Sequence, residues 1–200
     1  MGTMDRRDAL RALASAPLAG AAITWTEKDV EAATQAAAQA RQAAQQTKAP
    51  YKPKFFTAGE WATVGVLVDL IIPRDEKSGS ATDAGVPEFM DFMMVDQPTR
   101  QVAMRGGLAW LDHESQVRFD KRFSVCTDAE RRAVLDDISW PRRAKPETAY
   151  GVAFFNRFRD LTASGFFTSK IGMADLQFKG NTVVMNWKGC PPEVLKKLGL

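Results

Sequence analysis

The amino-acid sequence contains very few of the side chains that usually bind transition metals. Its 200 residues include one histidine and two cysteines. A zinc or di-iron site built mainly from histidines cannot be assembled from that set. The sequence also lacks the glycine-rich dinucleotide-binding fingerprint, the P-loop motif and the C-x-x-C-H motif of haem attachment. These absences count against several common classes of cofactor-binding enzyme.

Neither a strong charge bias nor a long hydrophobic run is present. There are 27 basic and 24 acidic residues, a formal net charge of +3, and the two kinds are interleaved along the chain. This pattern is not the basic footprint of a nucleic-acid-binding protein. A mildly apolar stretch over residues 9–23 is interrupted by Arg11 and is shorter than the ~20 residues that a membrane span requires. With 45% hydrophobic and 26% charged residues, the composition is that of an ordinary globular protein.

The N-terminus has the features of a bacterial export signal. Arg6 and Arg7 precede the mildly apolar stretch, which ends in the small residues Ala19-Gly20-Ala21. A basic start, a short apolar region and an A-x-A-like cleavage site are typical of a secretory leader, and paired arginines indicate the twin-arginine route for folded proteins. We therefore predict that residues 1–21 are a twin-arginine leader and that the protein is periplasmic. The alternative is an amphipathic first helix of a cytoplasmic domain.

The rest of the chain predicts a mainly α-helical protein with a single domain. Residues 22–54 comprise an Ala/Gln-rich helix or spacer, which has little apolar surface to bury, followed by a proline-containing linker. Residues 55–200 are the predicted helical domain. After Gly165 the helical periodicity fades among Gly, Asn and Pro residues, which predicts an irregular C-terminal tail with at most one short strand.

Two capping boxes mark helix starts inside this domain. Thr57 and Thr127 each begin a T-x-x-E sequence, and apolar residues follow each one at helical spacing. Residues 74–86 are rich in Gly, Ser and Asp and are predicted to be a loop. Pro87 then suits the first turn of the next helix.

The sequence offers no group of residues with the pattern of a catalytic site. His113 is isolated, and we interpret it as a surface or helix-capping residue rather than a catalytic base. The adjacent pairs Asp75-Glu76 and Asp136-Asp137 would point to different sides of a helix and would not converge. We therefore predict no catalytic residue, no metal site and no cofactor in this chain.

The C-terminal region carries an ordered series of short motifs. In chain order they are Gly165-Phe166-Phe167-Thr168-Ser169, Gly172, Phe178-Lys179-Gly180-Asn181 and Trp187-Lys188-Gly189-Cys190-Pro191. Upstream of them stand Phe56-Thr57, Glu60, Leu70-Ile71-Ile72-Pro73-Arg74-Asp75 and Ala81-Thr82-Asp83-Ala84-Gly85-Val86. By the order and spacing of these motifs, the chain resembles the gluconate 2-dehydrogenase subunit 3 family from the leader to about Pro191. Phe166, Phe167 and Phe178 stand where members often have tyrosine.

The resemblance implies a small, non-catalytic subunit of a periplasmic sugar or glycoside dehydrogenase. Members assemble with a large flavoprotein of the glucose-methanol-choline oxidoreductase type, which binds FAD, and a cytochrome c often accepts the electrons. The small subunit brings the twin-arginine leader, so that the leaderless flavoprotein is exported attached to it and is stabilised by it. FAD is accordingly expected in the partner subunit. A stand-alone periplasmic helical enzyme and an envelope adaptor protein are the two alternatives.

Large apolar side chains in the tail predict an interface with this partner. They lie among glycine, asparagine and proline, outside any amphipathic helix that the pattern predicts, and therefore need covering by this chain's own helices or by another protein. Aromatic anchors of this kind often carry a large share of interface energy. The predicted interface residues are Phe166, Phe167, Thr168, Ser169, Phe178 and Trp187.

The two cysteines, Cys126 and Cys190, are a candidate disulfide. An exported protein enters an oxidising compartment, in which disulfides persist. A bridge would close a loop of about 65 residues and stabilise the fold by roughly 4 kcal/mol on the chain-entropy model. It would tie the irregular tail to the helical body. The alternatives are a bridge to the partner subunit and two free buried thiols.

Overall fold

Helices build the part of the chain that the structure describes. The structure is a computed structural model, and it describes residues 26–47, 51–178, 180, 185–186 and 189–199. No β-strand occurs within these residues, so the predicted mainly α-helical fold is confirmed. The helices are α1 (Glu27–Thr47), α2 (Ala58–Ile71), α3 (Ala81–Ala84), α4 (Val86–Asp96), α5 (Gln101–Phe119), α6 (Asp128–Ser139), α7 (Ala149–Phe167), α8 (Lys170–Asp175) and α9 (Pro192–Lys197). Short 3-10 turns lie at Pro98–Arg100, Phe123–Val125 and Pro146–Thr148.

The predicted helix starts at the two capping boxes are confirmed. In front of α2, the N–H of Glu60 donates to Thr57 Oγ1 over 3.3 Å and the N–H of Thr57 donates to Glu60 Oε2 over 2.8 Å. Thr127 and Glu130 make the same two bonds in front of α6, over 3.3 and 2.7 Å. Each box pairs two backbone donors that a helix start would otherwise leave free. Local sequence therefore determines where these two helices begin.

The segment 74–86 contains a short helix where the composition predicted only a loop. Ser80 caps α3 through a third box, in which Asp83 Oδ2 accepts from the N–H of Ser80 over 2.7 Å. Gly85 then takes a left-handed backbone conformation (φ +85°) that ends α3, and α4 follows at once. Glycine adopts this conformation without the steric penalty of a side chain. The sequence did not predict this box, because Asp83 stands where the usual motif has Glu or Gln.

Helix α7 is the centre of the fold. It contacts each helix from α1 to α6 and also α8. Its buried side chains are Phe154, Phe155, Phe158, Leu161, Thr162 and Phe166. Gly107 of α5 lies so close to the ring of Phe154 that a Cβ atom added there would collide with it. The Gly106-Gly107 pair would weaken α5 as an isolated helix, but it allows α5 and α7 to approach closely.

Helix α1 is packed more closely than its composition predicted. Ala33 and Ala37 are buried members of the hydrophobic core, and α1 packs mainly against α4. The hydroxyl of Thr34 also lies 2.9 Å from that of Thr168, just beyond α7. The expectation that this segment has little to bury is therefore corrected. Because alanine side chains are small, α1 and α4 can pack closely without a row of large aliphatic side chains on α1.

The C-terminal helices continue further than the periodicity predicted. Helix α7 runs through Phe167, and α8 begins after a two-residue corner. Phe166 and Phe167 therefore lie in the last turn of a helix, not in an irregular tail. Gly165 made the pattern appear to end, but it is buried against the Phe89 ring of α4, where an added Cβ atom would lie 2.8 Å from the ring. This glycine serves helix packing rather than helix termination.

A buried carboxylate joins the linker before α2 to α4. Asp91 is fully buried, and its Oδ1 atom accepts from the N–H groups of Phe55 and Phe56 over 2.9 and 3.1 Å. Its Oδ2 atom accepts from the N–H of Lys54 and from the Tyr51 hydroxyl, each over 2.8 Å. A buried charge is tolerated only when such bonds compensate its lost hydration. Asp91 therefore determines the path of the chain into α2.

The Asp91 carboxylate also contributes to a raised pKa of the Tyr51 hydroxyl. Burial, followed by the hydrogen bond to Asp91 and the negative charges of Asp91 and Glu88, raises the pKa of the Tyr51 hydroxyl well above its ordinary value. The hydroxyl therefore stays protonated and keeps donating to Asp91 throughout the physiological pH range.

Replacing Asp91 tests how much this arrangement contributes to stability. Asp91→Asn keeps the shape but places an amide N–H₂ group against backbone donors, and hydrogen bonds to a charged group are worth about 1.5–3 kcal/mol each. We expect a loss of about 3 kcal/mol in the free energy of unfolding, measured by urea denaturation. Asp96→Asn, an exposed change at the end of the same helix, should stay within about 0.5 kcal/mol of the parent. Equal stability of the two variants would contradict the role assigned to Asp91.

Glu88 is a second acidic side chain of α4 that is largely removed from water. Its Oε2 atom is buried and makes no hydrogen bond within the described part of the chain. Burial raises the pKa of the Glu88 carboxyl, although the nearby Arg41 charge acts in the opposite direction. A carboxyl with a raised folded-state pKa favours folding while protonated, and that contribution is lost as the pH rises through the folded pKa.

A neutral replacement should therefore change the pH dependence of stability. We expect Glu88→Gln to gain stability relative to the parent as the pH rises from about 4 to about 7, because the amide carries no charge to desolvate. Denaturation curves across this range measure the difference. Glu76→Gln, at an exposed position, controls for the change in net charge. A stability difference that does not vary with pH would contradict the prediction.

Candidate partner-binding surface

Four large apolar side chains are exposed where α7 and α8 end. The exposed fractions are 40% for Phe167, 39% for Met173, 57% for Leu176 and 62% for Phe178. The N–H of Phe178 donates to the carbonyl oxygen of Met173 over 3.0 Å, so the chain turns back after α8 and keeps these two residues close. We call these four residues the apolar patch. Several large apolar side chains exposed within such a short segment are typical of a site that contacts another molecule.

A tight corner between α7 and α8 positions the patch. Ser169 Oγ donates to the carbonyl oxygen of Phe166 over 2.7 Å and accepts from the N–H of Gly172 over 3.0 Å, so it closes one helix and caps the next. Gly172 lies against the backbone of Phe166, and an added Cβ atom would collide with that carbonyl group. The corner therefore requires glycine at this position. It holds Phe167 and Met173 on the same end of the molecule.

A groove of about 480 Å³ lies beside the patch, between α1 and the α7–α8 corner. Phe89, Gly165 and Ile171 contribute its apolar part, and polar residues from α1 and the corner surround it. Met173 belongs to both the groove and the apolar patch. The two features therefore form one continuous surface. The hydrogen-bonded pair Thr34 and Thr168 joins the two sides of the groove.

The residues predicted for the interface have different environments. Phe166 is buried by the chain's own helices, so its assignment to a surface is corrected, whereas Phe167 and Phe178 are exposed. Ser169 is the buried cap of α8, and Thr168 is half-buried at the groove. Trp187 lies outside the described residues, as do Arg6 and Arg7 of the predicted leader. Sequence reasoning missed Met173 and Leu176, because α8 was not recognised as a helix with an exposed side.

The two cysteines are not paired in the structure. Cys126 is buried just before α6, where its thiol donates to the carbonyl oxygen of Arg122 over 3.4 Å. Cys190 is exposed, and both thiols are free. An internal bridge stays a prediction, and it would require Cys190 to approach a thiol that is now covered.

The carboxylates near His113 have structural roles in the fold. The exposed side chain of His113, in α5, lines a shallow depression of about 430 Å³. Of its acidic neighbours, Glu60 caps α2 and pairs with Arg105 over 2.7 Å, and Asp112 accepts from the N–H of Phe123 over 3.1 Å. These carboxylates are held by partners within the fold. The position agrees with the interpretation of His113 as a surface residue.

Two further kinds of feature are absent from the described ranges. No cluster of three or more His, Cys, Asp or Glu side chains is placed there to hold a metal ion. None of the described helices has the length and apolar character of a membrane span.

Comparison with known proteins identifies the family. The family model for gluconate 2-dehydrogenase subunit 3 matches residues 58–188, from the first residue of α2 through the apolar patch and beyond. Neither the curated proteins nor the solved structures gave a match. The matched segment covers well over half of the chain. The protein therefore belongs to the gluconate 2-dehydrogenase subunit 3 family and is a subunit of a dehydrogenase complex.

Proposed function

We propose that this chain is the non-catalytic small subunit of a periplasmic, FAD-dependent sugar or glycoside dehydrogenase. It escorts a flavoprotein of the glucose-methanol-choline type through twin-arginine export and stabilises that partner. A cytochrome c is the proposed electron acceptor of the complex. The observation that carries the proposal is the apolar patch with its adjoining groove, which lies inside the segment matched by the family.

The energetics of the patch support a stable contact. Obligate interfaces are large and apolar at their centres, and an aromatic anchor often contributes about 2 kcal/mol or more. Phe167 and Phe178 have the size and exposure for this role. The patch also begins at the end of α7, the helix that contacts most of the others. A partner that binds there would stabilise the native state of this chain by mass action.

The contacts made by the acidic side chains support a structural role for this subunit. Many of the carboxylates are occupied as helix caps, ion pairs and buried anchors, as Glu60 and Asp91 illustrate. The proposal assigns FAD to the partner because the family resemblance implies a flavoprotein there, and the absence of a dinucleotide fingerprint from this sequence supports that assignment. Export rests on the sequence of residues 1–21, which lie outside the described residues.

Truncation of the patch should weaken assembly without unfolding the subunit. We expect the double variant Leu176→Ala/Phe178→Ala to bind the flavoprotein about thirtyfold more weakly, equivalent to about 2 kcal/mol, because an aromatic anchor is lost. Its melting temperature should stay close to that of the parent, since both side chains are mostly exposed. Co-purification of the flavoprotein and a melting curve of the small subunit provide the two measurements.

Two matched variants complete this experiment. Val102→Ala removes an apolar side chain that is 82% exposed on α5 and should change neither measurement. Phe166→Ala empties a core position and should lower stability by about 3–5 kcal/mol. Full binding of the flavoprotein by the Leu176→Ala/Phe178→Ala variant would place the interface elsewhere.

Replacement of Arg6 and Arg7 tests the escort role. We expect Arg6→Lys/Arg7→Lys to retain both this chain and its flavoprotein in the cytoplasm, because the twin-arginine route recognises the pair and the partner is expected to lack a leader. Arg11→Lys, a matched change that keeps the pair, should allow export of both. Cell fractionation with immunoblotting of the two subunits measures the result. A flavoprotein that still reaches the periplasm would exclude the escort role.

A further inference from the structure

The loop between α6 and α7 presents an exposed tryptophan beside a group of cations. Trp140, the residue after α6, is 61% exposed. Arg142, Arg143 and Lys145 follow it, and all three side chains are exposed. We call residues 140–147 the basic loop. Glu147 is its one acidic residue, so the loop has an excess of positive charge.

A second amphipathic aromatic residue lies at the other end of the loop. Tyr150 is 52% exposed at the start of α7. The next residue, Gly151, packs against Ile138 of α6, where an added Cβ atom would lie 2.9 Å from the Ile138 side chain. The two ends of the loop are therefore adjacent, so Trp140 and Tyr150 lie at the same end of the α6–α7 pair, where the Tyr150 hydroxyl packs against Gly106 of α5.

The cations of the basic loop are not neutralised within the described part of the chain. Arg142, Arg143 and Lys145 form no ion pair there, although exposed acidic residues lie nearby in the sequence. Asp137, for example, pairs with Arg118 of α5 over 2.7 Å. The guanidinium of Arg143 lies 5.9 Å from the ring centroid of Trp140, so charge and aromatic ring occupy one surface.

We propose that the basic loop docks this subunit on an anionic phospholipid surface. Exposed cations attract anionic headgroups, and Trp and Tyr rings are favoured at the boundary between headgroups and acyl chains. Trp140 would enter that boundary while Arg142 and Arg143 contact phosphate groups. The loop needs no fixed counter-charges for this contact, because lipid headgroups rearrange around it. An acidic protein surface would instead have to match the loop with carboxylates in defined positions.

The position of the loop is compatible with the proposed partner contact. The basic loop precedes α7, whereas the apolar patch begins where α7 ends. A helix of this length spans about 27 Å at 1.5 Å per residue. Both surfaces can therefore be occupied at once, one by lipid and one by a protein. The lipid contact does not depend on the identity of that protein.

Vesicle binding tests the proposal with the full chain. We expect sedimentation with vesicles of phosphatidylcholine containing a quarter phosphatidylglycerol and little sedimentation with phosphatidylcholine alone. Arg142→Gln/Arg143→Gln should weaken partitioning about thirtyfold, because each basic residue near an anionic surface contributes a factor of about five. Lys196→Gln/Lys197→Gln removes two charges from exposed positions in α9 and should change partitioning less than about threefold. Trp140→Ala should also weaken binding.

Protection from proteolysis distinguishes vesicle binding through the basic loop from binding through the basic N-terminus of the same chain. Anionic vesicles should protect the bonds after Arg142 and Arg143 from trypsin, as mapped by mass spectrometry, and neutral vesicles should not. Unchanged melting temperatures of the variants are expected, because the altered side chains are exposed.

Several results would overturn the proposal. Equal loss in the two charge variants would show a general charge effect, and full binding by Arg142→Gln/Arg143→Gln would exclude the loop. Cleavage of the loop that vesicles do not slow would also exclude it. If Arg142→Gln/Arg143→Gln instead abolished binding of the flavoprotein and left vesicle binding unchanged, the loop would be part of a protein interface.

Discussion

The buried carboxylate of Asp91 is the interaction on which the arrangement of the N-terminal half depends. It receives four hydrogen bonds from the linker before α2, three of them from backbone N–H groups. Without those donors, burial of the charge would be strongly unfavourable. The linker position in turn brings the carbonyl oxygen of Phe55 to Arg105 of α5, over 2.7 Å, and Arg105 also pairs with Glu60 of α2. One acidic residue thus connects α2, α4 and α5 through a segment without regular secondary structure.

Helix α7 connects this framework to the surfaces proposed for binding. Its aromatic side chains fill the centre of the core, so its orientation is determined by most of the other helices. Both of its ends are therefore held firmly. The corner with α8 presents the apolar patch, and the junction with α6 presents the basic loop. In a subunit of a dehydrogenase complex, a central helix packed in this way would fix the relative positions of the two surfaces proposed for binding.

The surface for a partner was only partly predictable from sequence. The tail was correctly recognised as rich in large apolar residues, but successive residues of a helix point about 100° apart. Phe166 is therefore buried while Phe167 is exposed, and no composition argument distinguishes them. The groove could not be predicted, because its two sides are joined by Thr34 and Thr168, which are 134 residues apart in the chain. Similarly, the cations of the basic loop are visible in the sequence, but their lack of ion-pair partners in the described structure is a tertiary property.

The sequence by itself determined the helical class, the starts of α2 and α6, and the family resemblance that the family comparison confirmed. These properties depend on residues within a few positions of one another or on the order of short motifs. Only the tertiary structure decided that Ala33 and Ala37 belong to the core and that Gly165 lies inside a helix. It also decided that Asp91 is buried with all its donors. The physical reason is that burial and close packing are relations between distant segments, which periodicity along one segment does not encode.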